Sequence, residues 1–223
     1  MHKVLLTKKL TKEQEALAYE YGLDPVVQNF IKVTLEYDTI IPPKAETWIF
    51  TSSNASKYIS AHAPDIPKDA WPNQIVSIGE STASHIKHLG IPIYVADYGS
   101  ADRVVDKVKE LKSKSAVFFS GNLRRNVIPE ALKDEIDFYE FQVYQTELID
   151  VPLDLSEIEG IAFFSPSSVK AFAMSNTIGN QKLVAMGTTT KQAVMDTFGK
   201  RPGIAASPKI EDVLFALKDE LKH

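Results

Sequence analysis

Clusters of small polar residues follow short apolar runs at five places in the chain. They comprise residues 51–54, 79–82, 120–122, 165–168 and 187–190, and they consist mainly of Ser, Thr, Asn and Gly. Each cluster begins a helical pattern, so its unpaired backbone N–H groups and the positive end of the helix dipole could hold an anion. Gly79, Gly121 and Gly187 would let a ligand approach the backbone closely. The clusters therefore predict binding sites for carboxylates or phosphates.

Helix capping is the simpler explanation for any single cluster, because Ser and Thr are favoured N-cap residues. The recurrence of the pattern at five strand ends favours anion binding for the set as a whole. Glu80 would repel an anion at its own turn, so residues 79–82 are expected to form the weakest of these sites.

Two kinds of larger side chain add to this chemistry. Arg124 and Arg125 follow the cluster at 120–122, and a guanidinium binds a carboxylate with two parallel hydrogen bonds. Simple surface exposure explains this pair equally well, because charged side chains are mostly solvated. The Tyr144 hydroxyl could donate a proton or a hydrogen bond, although packing of its ring is an equal alternative. We therefore predict that Arg124 binds an anionic substrate and that Tyr144 is a candidate catalytic residue.

The composition argues against several other kinds of site. The chain has no cysteine, which excludes thiol catalysis, disulfides and thiolate metal sites. Its five histidines have no convincing metal-ligand spacing, so no metal is predicted. The net charge of −4 disfavours a nucleic-acid-binding protein. No apolar run reaches the roughly 18 residues that span a membrane, and no secretory signal is recognisable, so a cytoplasmic protein is expected.

The elements that must position these residues occur twice along the chain. Segments that resemble each other are 4–7 and 117–120, 49–52 and 163–165, 78–82 and 186–190, and 93–96 and 204–207. They recur in the same order with nearly the same spacing, which indicates two copies of one unit. Buried strands alternate with helical patterns, such as the i, i+3, i+4 apolar spacing in 102–111 and 210–221. This alternation predicts an α/β fold with parallel sheets covered by helices on both faces.

Two stretches break this rhythm at equivalent places in the two copies. Residues 30–37 and 138–148 alternate between apolar and polar side chains, which is typical of strands with one solvated face. We predict that they are connectors that run side by side, near 32–38 and 139–148. Lobe one would then contain 1–35 plus 149–223, and lobe two would contain 38–140.

Taken together, the motifs resemble the uroporphyrinogen-III synthase family over nearly the whole chain. The segments that carry the resemblance are 50–55, 78–83, 119–125, 143–146, 163–169, 186–190 and 206–208. The resemblance implies two flavodoxin-like lobes, each a doubly wound parallel sheet, joined by a two-stranded antiparallel connector. It also implies a cyclising lyase that needs no cofactor and converts hydroxymethylbilane to uroporphyrinogen III. Ring D is inverted through a spiro intermediate and water is released, as a step of haem biosynthesis.

The resemblance also assigns roles to individual residues. Tyr144 matches a connector tyrosine that is a candidate to assist loss of the hydroxyl group. Ser53 and Thr188 stand where many members have proline, so at these two positions the resemblance implies roles for the backbone only. The residues implied to bind the substrate carboxylates, largely through backbone N–H groups, are Thr51, Ser52, Gly79, Thr82, Gly121, Asn122, Ser165, Ser167, Gly187, Thr189 and Thr190.

The expected partners are few, and other functions remain open. The family implies a monomer, and a transient contact with the upstream hydroxymethylbilane synthase is possible. One alternative is a two-lobed cytosolic protein that binds or senses a small molecule without catalysis. Another is a nucleotide-using enzyme on the same fold, which is disfavoured because the sequence has no phosphate loop or dinucleotide fingerprint.

Overall fold

The computed structural model describes residues 1–35, 41–96 and 101–222. The strands are β1 (His2–Leu6), β2 (Leu23–Val27), β3 (Ile31–Leu35), β4 (Thr47–Phe50), β5 (Gln74–Ile78), β6 (Ile93–Ala96), β7 (Ser115–Gly121), β8 (Asp137–Leu148), β9 (Gly160–Phe163), β10 (Lys182–Ala185) and β11 (Gly203–Ile204). The α-helices are α1 (Lys12–Glu20), α2 (Ser53–His62), α3 (Gly79–Ser84), α4 (Ala101–Glu110), α5 (Val127–Leu132), α6 (Pro166–Phe172), α7 (Thr188–Phe198) and α8 (Ile210–Glu220).

The chain divides into two compact units, each built around its own sheet. The first unit comprises Met1–Lys32 and Glu147–His223, and the second comprises Val33–Thr146. The first sheet has five strands in the order β11-β10-β9-β1-β2, and the second has six in the order β3-β8-β7-β4-β5-β6. All strand pairs of the first sheet are parallel, and β8, β7, β4, β5 and β6 of the second sheet are parallel too.

In the first unit, apolar residues cover both faces of the sheet. Val4 and Leu6 of β1 pack in one buried cluster with Leu214 of α8, whereas Leu5 packs in another with Phe172 of α6. Adjacent strand residues point to opposite faces, so each face of the sheet needs its own layer of helices. Helices α1 and α8 cover the first face, and α6 and α7 cover the second. This arrangement explains why the strands are continuous apolar runs.

The second unit repeats this architecture. Phe50 and Phe119 pack with Ile59 of α2 on one face of the sheet, whereas Ile49 and Phe118 pack with α4 and α5 on the other. The rings of Phe50 and Phe119 stack with centroids 4.9 Å apart. Strands β7 and β8 have the places in their sheet that β1 and β2 have in the first, and β4, β5 and β6 correspond to β9, β10 and β11. The duplication predicted from the sequence is confirmed.

Two strands cross the division between the units. The division falls within β3, after Lys32, and within β8, after Thr146. Strands β3 and β8 are neighbours in the second sheet. Residues 36–38 of the predicted first connector lie outside the described residues. Among the described residues, no helix is long and apolar enough to cross a membrane.

Candidate active site

Each sheet has a point at which the direction of the chain connections reverses. In the second unit the chain runs from β4 outward to β6 and later from β7 outward to β8, so the reversal lies between β4 and β7. In the first unit the reversal lies between β1 and β9. Ligands of open α/β sheets bind beyond the carboxyl ends of the strands at such points. Three of the five polar clusters lie at the carboxyl ends of strands that flank these reversals (β4, β7 and β9), and the other two lie at the carboxyl ends of the adjacent strands β5 and β10.

In the second unit, this end of the sheet brings Ser52 and Tyr144 together. Ser52 is the N-cap of α2, and its hydroxyl oxygen accepts a hydrogen bond from the backbone N–H of Asn54 (3.1 Å). The same oxygen accepts a hydrogen bond from the Tyr144 hydroxyl (3.1 Å). The Tyr144 side chain is buried, with 9% of the residue exposed. Burial raises the pKa of the Tyr144 phenol above its ordinary value, so the phenol stays neutral at physiological pH and can donate a hydrogen bond.

Gly121 lies against the ring of Tyr144. A Cβ atom at position 121 would come within 2.3 Å of Cε2 of that ring. The space that the sequence analysis expected a ligand to use is therefore filled by a protein side chain. Asn122, the next residue, uses its side chain to continue the sheet: its amide oxygen accepts from the N–H of Thr146 (2.7 Å), and its amide nitrogen donates to the carbonyl oxygen of Thr146 (3.1 Å).

The turn after β5 lies beside the start of α2. Gly79 is buried and has a φ of +67°, in the left-handed region that favours glycine. Thr82 is buried, and its hydroxyl lies 3.4 Å from the hydroxyl of Ser53. This contact links α3 to α2, and Thr51 is half-buried just before the α2 cap. The predicted residues Thr51, Gly79 and Thr82 thus belong to the same end of the sheet as Ser52.

Arg124 is bound by a carboxylate of the protein itself. Its guanidinium donates two hydrogen bonds to Glu140, one of them from Nη2 to Oε2 at 2.6 Å, and a third to the amide oxygen of Asn126. The Ser120 hydroxyl also donates to Glu140 (2.8 Å). These hydrogen bonds lower the pKa of Glu140, and the bond to Glu140 raises the pKa of Arg124. Arg125, by contrast, is exposed.

In the first unit, Ser165 and Ser167 lie at the start of α6. Ser165 forms a capping box with Ser168: its hydroxyl accepts from the backbone N–H of Ser168 (3.1 Å), and its own N–H donates to the Ser168 hydroxyl (3.3 Å). The hydroxyls of Ser165 and Ser167 are 3.0 Å apart. Ser165 therefore makes both hydrogen bonds of a capping box, and helix capping alone explains this residue.

Gly187 begins a helix of a different kind. It is the N-cap of α7 and contributes no side-chain hydrogen bond to the first turn. Its φ of −162° is ordinary extended backbone, and a Cβ at this position would meet no atom within 4 Å. Thr189 is half-buried and Thr190 is buried in the same turn. The backbone at Gly187 is thus open to close approach, as the sequence analysis expected.

The family model described as uroporphyrinogen-III synthase HemD matches residues 12–214. The chain belongs to the uroporphyrinogen-III synthase family. This membership confirms the predicted enzyme class, a cyclising lyase of porphyrin biosynthesis, and does not favour a non-catalytic sensor. No curated protein sequence matches the chain significantly.

Solved structures of uroporphyrinogen-III synthases have the same fold. The enzyme from Helicobacter pylori is 18% identical, with a TM-score of 0.64 over 96% of this chain and 97% of that one. A mutant of the Thermus thermophilus enzyme is 13% identical, with a TM-score of 0.71 over 100% and 99%. The wild-type Thermus thermophilus enzyme is 15% identical, with a TM-score of 0.54 over 100% and 98%. The predicted fold class is confirmed, whereas the binding residues stay a prediction.

Thr7 is a further polar residue at this end of the first sheet, and the sequence analysis did not single it out. Its buried hydroxyl donates to the carbonyl oxygen of Ala162 (3.1 Å), lies 3.3 Å from the Ser168 hydroxyl and accepts from the N–H of Phe164 (3.3 Å). Thr7 thereby fixes the start of α6 at the reversal between β1 and β9. The repeat contained the signal, because Thr7 matches Ser120, another buried hydroxyl at the end of a reversal strand.

Glu140 is the second residue of this kind. Its position in an alternating strand is typical of a solvated side chain, yet it holds both Arg124 and Ser120. Among the described residues, no group of His, Asp and Glu is suited to hold a metal ion. The polar groups described above at the two reversals are hydroxyls, amides, backbone N–H groups and the ion pair between Arg124 and Glu140.

Proposed function

We propose that this chain converts hydroxymethylbilane to uroporphyrinogen III, with inversion of ring D and release of water. Family membership supports the overall reaction. The observation that carries the site proposal is the buried Tyr144 phenol, held 3.1 Å from Ser52 beyond the carboxyl ends of β4 and β7. A neutral hydroxyl donor in a site of low polarity is suited to stabilise a leaving hydroxyl group.

The first step is loss of the hydroxyl group from ring A of the substrate. The Tyr144 hydroxyl turns from Ser52 to the leaving oxygen and donates its hydrogen bond there. The carbon–oxygen bond breaks, the nitrogen lone pair of ring A forms the electrophilic methylene, and the leaving oxygen takes up one proton from solvent and departs as water. Since burial raises the pKa of Tyr144, a hydrogen bond is favoured over a lasting phenolate.

The later steps depend on holding the substrate in a curled conformation. Ring D attacks the methylene through its substituted carbon to give a spiro intermediate, which opens and recloses with ring D inverted. The proton that ring D loses on closure balances the proton taken up by the departing water. Holding the reacting rings in contact favours this strained path over direct closure, because it removes the entropic cost of bringing them together.

The residues proposed to bind the substrate carboxylates lie at or just after the carboxyl ends of strands. Gly187, Thr189 and Thr190 present the first turn of α7, where backbone N–H groups and the helix dipole favour an anion. Asn122 and Arg124 already have protein partners, so we propose that both fix the ends of β7 and β8 and that Arg124 also contributes positive charge. The remaining assigned residues are Thr51, Ser52, Gly79, Thr82, Ser165 and Ser167, whereas Gly121, the other predicted binding residue, lies against the Tyr144 ring and is not assigned to carboxylate binding.

The deciding experiment supplies freshly prepared hydroxymethylbilane to the purified protein and separates the oxidised products by chromatography. The substrate closes without enzyme to the type I isomer, so a sample without protein measures the background. A product dominated by the type III isomer is expected from the folded protein and not from protein unfolded by heat. Type I product alone from folded protein would refute the proposed function.

The proposal extends to the setting of the enzyme. We expect a cytoplasmic monomer that uses no cofactor and receives its substrate from hydroxymethylbilane synthase during a transient contact. A handover of this kind would limit spontaneous closure to the type I isomer. In a coupled assay that contains both enzymes, the type I fraction of the product should then stay low when an inert protein is added to the buffer at high concentration. A type I fraction that depends only on the total substrate released would argue against direct contact.

A further inference from the structure

The strands that hold Tyr144 are joined by an irregular register. Ser120 of β7 pairs with Gln142 of β8, but the next residue, Gly121, pairs with Tyr144. Val143 is therefore an extra residue in β8 with no counterpart in β7. Such a β-bulge changes the direction in which the following side chain points.

The packing of β8 shows the effect of this bulge. Successive strand residues normally point to opposite faces of a sheet. Val143 and Tyr144 are consecutive, yet both pack in the same buried cluster, which also contains Ile59 of α2. The bulge thus places Tyr144 on the face of the sheet where α2 and its N-cap Ser52 lie.

Gly121 completes the arrangement from the neighbouring strand. A Cβ at this position would come within 2.3 Å of Cε2, 2.4 Å of Cζ and 2.9 Å of Cδ2 of the Tyr144 ring. The first two atoms lie at the end of the ring that carries the hydroxyl. The ring is rigid and is buried between β7 and α2, so it cannot bend away as the end of a long side chain could. Any side chain at position 121 must therefore move the whole ring and with it the hydroxyl.

We propose that Gly121, together with the bulge at Val143, positions the Tyr144 hydroxyl for the reaction. Gly121 is a positioning residue: it acts through the tyrosine, and the absence of its side chain is what the site requires. This inference rests on the proposed role of Tyr144 in loss of the hydroxyl group. It also departs from the sequence expectation that Gly121 leaves space for the substrate.

The test is a set of variants that separates position from packing. Gly121→Ala should lower kcat at least about tenfold, because displacing a reacting group by roughly 1 Å can cost up to about 100-fold. In a Tyr144→Phe background the same substitution should change kcat less than about twofold, since the hydroxyl is already gone. The phenyl ring still meets the new methyl group, so Tm should fall by about 5 °C in both backgrounds. KM should change little in either background.

A third background tests the contact itself. In Tyr144→Ala the ring is absent, so adding Gly121→Ala should no longer lower Tm. Gly179→Ala is the matched control, because a Cβ there makes only ordinary contacts of 3.4 Å or more with the Gln181 side chain. It should leave kcat unchanged and should not lower Tm.

Three outcomes would overturn the inference or the proposed role of Tyr144 on which it rests, and the measurements distinguish them. An equal loss of kcat from Gly121→Ala with and without the Tyr144 hydroxyl would show that Gly121 does not act through that hydroxyl. A loss of Tm that persists in Tyr144→Ala would show that the ring contact is not the cause. If Tyr144→Phe retained full kcat, the proposed catalytic role would fail, while the Tm comparison with Tyr144→Ala would still test the contact.

Discussion

The Tyr144 phenol is held neutral by its surroundings, and this has a consequence at alkaline pH. Burial raises the pKa of the phenol in the folded state, so the folded protein retains this proton at a pH at which the unfolded chain has lost it. The stabilisation is present below the unfolded pKa of about 10 and is lost as pH rises through the folded pKa. We expect Tyr144→Phe to lower kcat by about 100-fold at neutral pH, as removal of a hydrogen-bond donor to a developing negative charge does.

The same variant should respond less to alkali than the parent. Thermal unfolding measured from pH 8 to 11 is expected to show a steeper loss of Tm in the parent above pH about 10. At neutral pH the cost of losing one hydrogen bond should be only about 1 kcal/mol. If the loss in unfolding free energy equalled the rise in activation free energy that the lower kcat implies, the role of Tyr144 would be packing alone.

The pair formed by Arg124 and Glu140 makes a second prediction. Glu140→Gln removes a partly buried charge partner and should cost about 1 kcal/mol of unfolding free energy at pH 7. Because the folded pKa of Glu140 is lowered, its stabilisation is present above the unfolded pKa and is lost as pH falls through the folded value. The stability difference between parent and variant should therefore disappear in acid. Urea unfolding at pH 7 and at pH 3 measures it.

Activity of the Glu140→Gln variant tests the role of Arg124. If the guanidinium contributes charge to substrate binding, its release from Glu140 should lower KM, whereas Arg124→Ala should raise it. If both variants leave KM unchanged, Arg124 only holds the ends of β7 and β8 in place. The two substitutions thus separate a binding role from a structural one.

The sequence was a better guide to the types of residue at the candidate site than to the residues with which they form hydrogen bonds. Ser52, Ser165 and Tyr144 could be named because capping and connector patterns are local. The partners Thr146 of Asn122 and Glu140 of Arg124 lie on another strand, and they depend on the register between β7 and β8. Register is set by packing of the whole sheet and by the bulge at Val143, which no local pattern indicates.

At the scale of elements, the start of α7 differs from the starts of α2 and α6. The hydroxyls of Ser52 and Ser165 cap α2 and α6, whereas the N-cap of α7 is Gly187 with open space above it. The Gly187→Ala variant should therefore fold normally. Its free energy of unfolding should rise by up to about 1 kcal/mol, because alanine lowers the conformational entropy of the unfolded chain. Any rise in KM then reports a substrate carboxylate close to this backbone.

Measurement of KM and Tm for Gly187→Ala and Gly179→Ala decides this prediction. We expect KM to rise about tenfold for Gly187→Ala alone, which corresponds to the loss of about 1.4 kcal/mol of binding. Unchanged KM in a stable Gly187→Ala protein would remove the start of α7 from the proposed binding site.

At the scale of the whole chain, the repeat predicted more of the fold than any single element did. Matching 4–7 with 117–120 and 78–82 with 186–190 anticipated which strands have equivalent places in the two sheets. Repeats predict sheet order because each copy must bury the same apolar faces in the same way. The sequence also predicted a strand within residues 30–37 beside 138–148, but the repeat did not indicate that this strand, β3, joins the second sheet as its edge, since an edge strand depends on its neighbour β8 rather than on the copy.

The residues predicted to bind the substrate are distributed along the whole sequence, and a monomer must carry them all in one chain. Gly187→Phe, which places a ring over the start of α7, should lower activity through the first unit, and Tyr144→Phe should lower it through the second. An equimolar mixture should then form type III product at the mean of the two separate rates, because no molecule gains an intact set. A rate well above that mean would show that chains share sites, and it would refute the monomer. Sedimentation of the mixture checks the same point without substrate, and the double variant in one chain provides the lower limit of activity.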